Sequence, residues 1–412
     1  MRLLIVNQYG LPAGRPGITR HGDLGAALVE MGHEVTVLAS RFNYLTRAED
    51  ADAPGVERHA GVEFRWLDTG SYRGNDSRRV SSMLRFTARA TLAGLRMRPR
   101  PDVVLASSPH LLVGLAGAAI ARRHRVPFLF EVRDLWPSAL VDLGAVRRGG
   151  LTHRLLTAIE RFSYRVADRI ITVPPHADRR VAELGARAAK AVHIPNATSV
   201  ASPVTPIPDS LTGTLDRTGE RCVLLYAGAQ GISNGLGTLL EALDHLRHGD
   251  HATYDRLEVV LIGDGGEHDA LVRRAQELEL DHVSFHPPIE KSAVPAALAR
   301  ADLLLVSFAD APVYDYGLSP NKLFDYMAAA RPVLLASRLR DTPLNEADAG
   351  RCFVPGSAES LVTELRALLG MTAAERLAMG ERGRRLVEER YTIASTARQL
   401  DALLRDVTRR AA

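Results

Sequence analysis

The chain has 412 residues, 46% of them apolar, and a formal charge of +4 from 52 basic and 48 acidic side chains. That length predicts two or three domains, and the apolar share is enough for real cores, which excludes a disordered or collagen-like chain. The charge is mild, and a pI near 9.2 permits weak attraction to anionic lipids or nucleic acid, though no nucleic-acid partner is expected; no run approaches eighteen uninterrupted apolar residues, so no membrane-spanning helix is expected.

The opening stretch "MRLLIVNQYGLPAG" breaks at Gly10, too early for a signal peptide, so a cytoplasmic protein is expected. Short apolar runs then alternate with helical patterns. Residues 3–9, 34–40, 62–68, 102–108, 127–133, 169–173 and 191–195 read as strands, with helices such as 19–31 and 151–166 between them. That is the pattern of a doubly wound parallel sheet. Residues 197–220, rich in Pro, Ser and Thr and without periodicity, read as a linker. The alternation restarts with strands at 221–229, 256–263, 282–288, 302–308, 332–336 and 352–355, and an amphipathic helix near 392–408 ends the chain. The expected division is a domain over 1–197, a linker over 198–220, a domain over 221–391 and a C-terminal helix within 392–412 that packs back toward the first domain. Two such α/β domains leave a cleft between the carboxyl ends of their sheets, where ligands bind. Cys222 and Cys352 fall in predicted strands far apart and read as buried thiols, neither a disulfide framework nor a metal site.

Glycines punctuate three strand ends: Gly10, Gly14 and Gly17 after the first, Gly228, Gly231 and Gly235 after the first strand past the linker, and Gly263, Gly265 and Gly266 after the next. Such turns let backbone N–H groups approach phosphate oxygens. The first lacks the G-x-G-x-x-G spacing, and the second strand ends in Ser40-Arg41 rather than in an acid for a ribose, so a nicotinamide cofactor is not expected. Lysine is rare, occurring only at 190, 291 and 322, a bias toward arginine that fits a GC-rich genome. Lys322 stands in "GLSPNKLFDYMAAARPVLLA", where Ser319 reads as an N-cap, Pro320 as the first helical residue and Leu323, Phe324 and Met327 as a core face. A lysine just inside a helix start marks an anion site. Asp325, one turn on, is either a ribose ligand or a solvated charge. In "FLFEVRDLWP" the strand ends in Glu131, Arg133 and Asp134, either a structural ion pair or functional groups. Asp50 and Asp52 form a D-x-D pair in a polar loop and read as an acidic surface turn rather than a metal site. Residues 77–101 mix apolar positions with seven arginines, a basic amphipathic pattern that suits either an anionic membrane surface or an ordinary packed helix.

These segments resemble the retaining, nucleotide-sugar-dependent glycosyltransferases of family 4, nearest the bacterial surface-polysaccharide and fucosamine transferase branch. The resemblance rests on "GITRHGDLGAALVEMGHEVTVLA", "FLFEVRDLWPSAL", "YAGAQGISNGLGTLLEAL" and "GLSPNKLFDYMAAARPVLLA" and runs the length of the chain. It implies two Rossmann-like domains in the GT-B arrangement, the first binding the acceptor and the second the donor. It implies catalytic roles at Lys322, Arg133, Asp134 and Gly317, and donor contacts at Gly17, Gly228, Gly231, Asn234, Gly263, Pro288, Ile289, Leu318, Ser319 and Asp325. Backbone N–H groups of 318–320 would help to hold the diphosphate. The acceptor side falls to Arg20, His21, His110 and Glu131. The family's Glu-x7-Glu motif has Asp325 at its second position here and Gly317 at its first, so one carboxylate is missing. The implied reaction moves a sugar (a hexose, deoxyhexose or N-acetylhexosamine) from a UDP-sugar to a hydroxyl of a glycan, lipid-linked or small-molecule acceptor, with no metal and no cofactor, at the inner face of a membrane. A nucleotide-sugar 2-epimerase of the same fold, or a non-catalytic sugar-nucleotide-binding subunit, is the alternative.

Overall fold

In a computed structural model, the structure describes the chain apart from residues 16, 44–47, 50–54, 73, 75, 109, 201–204, 217–220, 318 and 412. The Asp50 and Asp52 pair and Leu318 therefore lie outside the described residues. Two compact units result. The first comprises Met1–Ala197, Tyr316–Ser319 and Ile393–Ala412, and the second Thr198–Asp315 and Pro320–Thr392.

The sheet of the first unit has eight strands in the order Ala191–His193, Arg169–Thr172, Phe128–Val132, Val103–Ser108, Arg2–Val6, Glu34–Ser40, Val62–Leu67, Val56–His59. All neighbours pair parallel except the last two, which are antiparallel. The apolar runs bury both faces: every residue of Val103–Ser108 and of Phe128–Val132 is buried, as a sheet covered by helices on both sides requires. Val62–Leu67, nearer the edge, alternates buried and half-buried. Val56–His59 was not expected; "VERH" has no apolar alternation and is mostly exposed. The C-terminal helix Ile393–Ala411 packs on the helix Arg20–Glu30, and its Ala397, Leu400 and Leu404 join one core with Leu24 and Leu28. Each of these leucines contributes about 1.5–3 kcal/mol by leaving water.

The sheet of the second unit is wholly parallel, in the order Val283–His286, Leu257–Ile262, Cys222–Ala227, Leu303–Val306, Val333–Ala336, Gly350–Phe353. Part of the expected linker is folded into this unit. Asp209–Asp216 is a helix whose Leu211 and Leu215, one turn apart, enter a core with Val223 and Leu225. The Thr198 N–H donates to the Tyr391 carbonyl.

In each sheet the strand order reverses beside the first strand of its unit, at Arg2–Val6 against Val103–Ser108 and at Cys222–Ala227 against Leu303–Val306. The loops leaving these strands are where a doubly wound fold presents ligands. Among the described residues no helix is long and apolar enough to cross a membrane.

Candidate active site

In the second unit the switch point gathers residues from four segments. Lys322 sits in the first turn of the helix Asn321–Ala328, and its Nζ donates to the Tyr226 hydroxyl at 2.8 Å and lies 3.4 Å from Asn234 Oδ1. The ammonium also stands 4.2 Å from the centre of the Tyr226 ring, a cation–π contact. No carboxylate pairs with it among the described residues, and burial lowers its pKa to about 8. A charge with only neutral partners is one for which an anion is the missing partner. Gly228, with φ of +151°, makes room for it, since a Cβ there would lie 2.8 Å from Nζ.

The two glycine turns interlock. A Cβ on Gly263, whose φ is +136°, would collide with the Gly228 carbonyl, and one on Gly265 would collide with the Gln230 carbonyl. Fully buried Gln230 bridges them: its Nε2 donates to the Gly263 carbonyl at 3.2 Å and its Oε1 lies 2.8 Å from His268 Nδ1. Gly231 accepts from the Asn234 N–H through its carbonyl, which closes the short turn carrying Asn234. Beyond the strand Val283–His286, Pro288 is exposed and Ile289 packs on the core. Asp325 is half-buried, and its Oδ1 accepts from the Thr198 hydroxyl at 2.5 Å.

The segment before the Lys322 helix differs from expectation. Pro320, not Ser319, is the N-cap, the helix starts at Asn321, and no side chain caps it. The Ser319 hydroxyl instead accepts from the Asn196 N–H at 3.1 Å, and the Ser319 carbonyl accepts from Asn196 Nδ2. Pro320 has no N–H to offer an anion, so the helix presents those of Asn321 and Lys322. Gly317 is buried with φ of +97°, and a Cβ there would collide with the Pro175 ring. A glutamate would not fit in this conformation.

In the first unit, Arg20, His21 and Glu131 come together in the interior. Arg20 Nε donates to Glu131 Oε1 at 3.0 Å, the Ser107 hydroxyl to Oε2 at 2.6 Å, and His21 Nε2 lies 2.9 Å from Oε2. Arg20 spends its other nitrogens on the carbonyls of Ile194 and Pro195. The Tyr9 N–H donates to Asn7 Oδ1, so Asn7 Nδ2 faces His21 Nδ1, 2.8 Å away. That fixes Nδ1 as an acceptor and puts the imidazole proton on Nε2, toward Glu131. Burial lowers the His21 pKa. Burial also acts to raise that of Glu131, but Arg20 and His21 outweigh it and hold the carboxyl well below its usual range. This network holds the first loop to the sheet. His110, 1% exposed, stands apart from it, edge-on to Phe86, and neither ring nitrogen has a hydrogen-bond partner among the described residues. Burial and nearby Arg79 lower its pKa to about 3. Arg133 is half-buried with its N–H on the Ser108 hydroxyl, Asp134 is exposed, and Gly17, with φ of +131°, abuts Leu11.

Residues 17–197 match the family model of the glycosyl transferase 4-like domain, and residues 221–371 that of the glycosyl transferases of group 1. The chain is a family-4-type glycosyltransferase. It is 27% identical over 285 residues to WcaI of Escherichia coli (strain K12), named as a colanic acid biosynthesis glycosyl transferase, over 66% of this chain and 67% of that one. In three dimensions it is similar to a sucrose-phosphate synthase from Thermosynechococcus elongatus, with a TM-score of 0.78 at 18% identity and 98% of each chain covered. It is also similar to HepE of Anabaena solved with UDP-glucose, with a TM-score of 0.68 at 15% identity, 98% of this chain and all of that one being covered. The fold is GT-B.

Lys322, Gly228, Asn234 and Gly263 of the transferase thus come together at one switch point, with Asp325 one turn along the same helix. Sequence reasoning missed Tyr226, Gln230 and Thr198, which position the lysine, the glycine turns and the acid. A tyrosine closing an otherwise aliphatic strand in "VLLYAG" was the available signal, since a buried phenol seeks a polar partner.

Proposed function

We propose that this transferase moves a sugar from a UDP-sugar to a hydroxyl of a glycan, lipid-linked or small-molecule acceptor, with retention of anomeric configuration and without a metal ion. The observation that carries the reading is Lys322, an ammonium whose partners among the described residues are neutral, set against a glycine backbone at a sheet switch point. The UDP-glucose complex of HepE, on the same fold, supports the donor class, and the name of WcaI supports a polysaccharide product. In this reading the second unit holds the donor. As the sugar–phosphate bond breaks, charge grows on the diphosphate, where preorganised donors act most strongly. Lys322 and the N–H groups of Asn321 and Lys322 supply them. The acceptor hydroxyl attacks the anomeric carbon from the face the diphosphate leaves, and its proton passes to the departing oxygen. The first unit holds the acceptor, with His110 as a neutral hydrogen-bonding group and Arg133 and Asp134 at the strand end.

The test is a panel of UDP-sugars with glycan and lipid-linked acceptors, the product anomer being read by NMR. Transfer with the donor's configuration, undiminished by EDTA, is expected. An isomerised sugar nucleotide formed without acceptor would make the chain an epimerase. Loss of turnover with EDTA and its return with magnesium or manganese would remove the metal-free mechanism.

A further inference from the structure

A cavity of about 410 Å³ opens in the first unit, far along the chain from Lys322. It lies between the ends of the strands Glu34–Ser40 and Val62–Leu67 and the second half of the helix Ser77–Leu95. Its lining includes Arg41, Leu67, Asp68, Arg89, Leu92 and Arg96. Three guanidinium groups meet one carboxylate there. Arg89 is paired, its Nη1 lying 3.0 Å from Asp68 Oδ2, and the charge of Arg41 also acts on that carboxylate. Arg41 Nε is buried and has no hydrogen-bond partner among the described residues, and Arg96 forms no ion pair among them.

We propose that this cavity binds a phosphate or diphosphate group carried on a hydrocarbon chain. Guanidinium forks that form no ion pair among the described residues can match phosphate oxygens in pairs, and an excess of two positive charges suits a doubly charged headgroup. The walls argue for the chain. Leu67 and Leu92 line the cavity, and from Leu92 an exposed apolar track continues along the helix through Ala88, Leu84 and Val80, spaced by four residues and so on one face. A free phosphate would satisfy the arginines and leave that track in water, whereas a phospholipid or isoprenoid covers both. The inference deepens the acceptor half of the proposed transfer and rests on it for its biological meaning, but the binding itself is measured without donor.

The experiment titrates geranyl diphosphate and inorganic pyrophosphate into the full chain by calorimetry. It compares wild type, the double variant Arg41→Gln/Arg96→Gln and Arg123→Gln, which removes an exposed charge on another helix. Saturable binding of geranyl diphosphate, at least about tenfold tighter than pyrophosphate and weakened at least about tenfold in the double variant alone, is the expected result. An unaltered thermal shift with UDP shows that the double variant is folded. Equal affinity for the two probes would make this a free-phosphate site and overturn the lipid assignment. Absence of saturable binding, or equal binding by the double variant, would overturn the pocket. Competition by phosphatidylglycerol vesicles assigns the headgroup to a bilayer lipid, and its absence to an isoprenoid carrier. Wild type that transfers sugar to a soluble acceptor yet ignores geranyl diphosphate loses this proposal and keeps the transferase reading. Binding of geranyl diphosphate without any sugar transfer does the reverse.

Discussion

At Lys322 burial and charge oppose each other, and the balance is readable as a pH dependence. The folded-state pKa of about 8 lies below the ordinary 10.5. The unfolded chain therefore binds more protons between about 8 and 10.5, and the free protein gains stability as pH rises through that window; below about 8 the cost of the buried charge is fully present. A bound diphosphate favours the charged amine, so UDP affinity should be greatest below pH 8. Above that its Kd should rise, by up to about tenfold per pH unit as the neutral amine takes over. Calorimetry from about pH 6.5 to 9.5 checks this, and Lys322→Met should bind at least about tenfold more weakly at pH 7 with no break near 8. A featureless wild-type profile removes the lysine from the donor site. Asp325 lies one turn beyond Lys322 on the same helix and accepts from the Thr198 hydroxyl. Asp325→Asn should raise the donor KM more than it lowers kcat, because ribose contacts act equally before and during reaction. An unchanged KM excludes it.

Between elements, the glycines mark where backbones meet. Gly263→Ala would set a methyl group on the Gly228 carbonyl at a positive φ, and should cost roughly 3 kcal/mol or more, read as a lowered urea midpoint. Gly317→Glu restores the family's acid in name only. It meets the Pro175 ring and a φ of +97°, so it should destabilise the chain by roughly 3 kcal/mol without raising kcat. A more active, equally stable variant would show that the segment relaxes around the acid. The same local logic explains what could be read beforehand. The buried strands were legible because runs such as "DVVLASS" and "DLLLVSF" have no other good reading, and the glycine loops because they follow those strands directly. Val56–His59 was hidden because edge pairing leaves no apolar signature. The helix Asp209–Asp216 was hidden because two leucines one turn apart are easily lost among Pro, Ser and Thr. Ser319 looked like a cap because its competitor, Asn196, is 123 residues away, and Tyr226 stands 96 residues from the lysine it holds. Contacts between distant segments are what sequence spacing does not carry.

On the scale of the whole molecule, the question is how a chain with no spanning helix among its described residues would reach a lipid-linked acceptor. Two helices of the first unit, Ser77–Leu95 and Leu151–Val166, both pack against Leu112–His124, and each exposes apolar side chains among arginines. On the first these are Val80, Leu84 and Leu92 with Arg78 and Arg85; on the second, Leu151, Leu155, Phe162 and Val166 with Arg154 and Arg161. The first has no carboxylate, and the one on the second, Glu160, is buried on Arg180. Such faces suit an anionic bilayer, where the leucines enter the headgroup boundary and each arginine adds about 1 kcal/mol. The chain should therefore sediment with phosphatidylglycerol vesicles at low salt and not with phosphatidylcholine vesicles. Changing Arg78, Arg85, Arg154 and Arg161 together to Gln should release it, and so should 0.5 M salt, which screens charges beyond a few ångströms. That variant should still transfer sugar to a soluble acceptor at the wild-type rate, since none of the four touches the Lys322 site. If the wild type ignores anionic vesicles at low salt, both faces are ordinary surface and a lipid-linked acceptor must be met away from the bilayer.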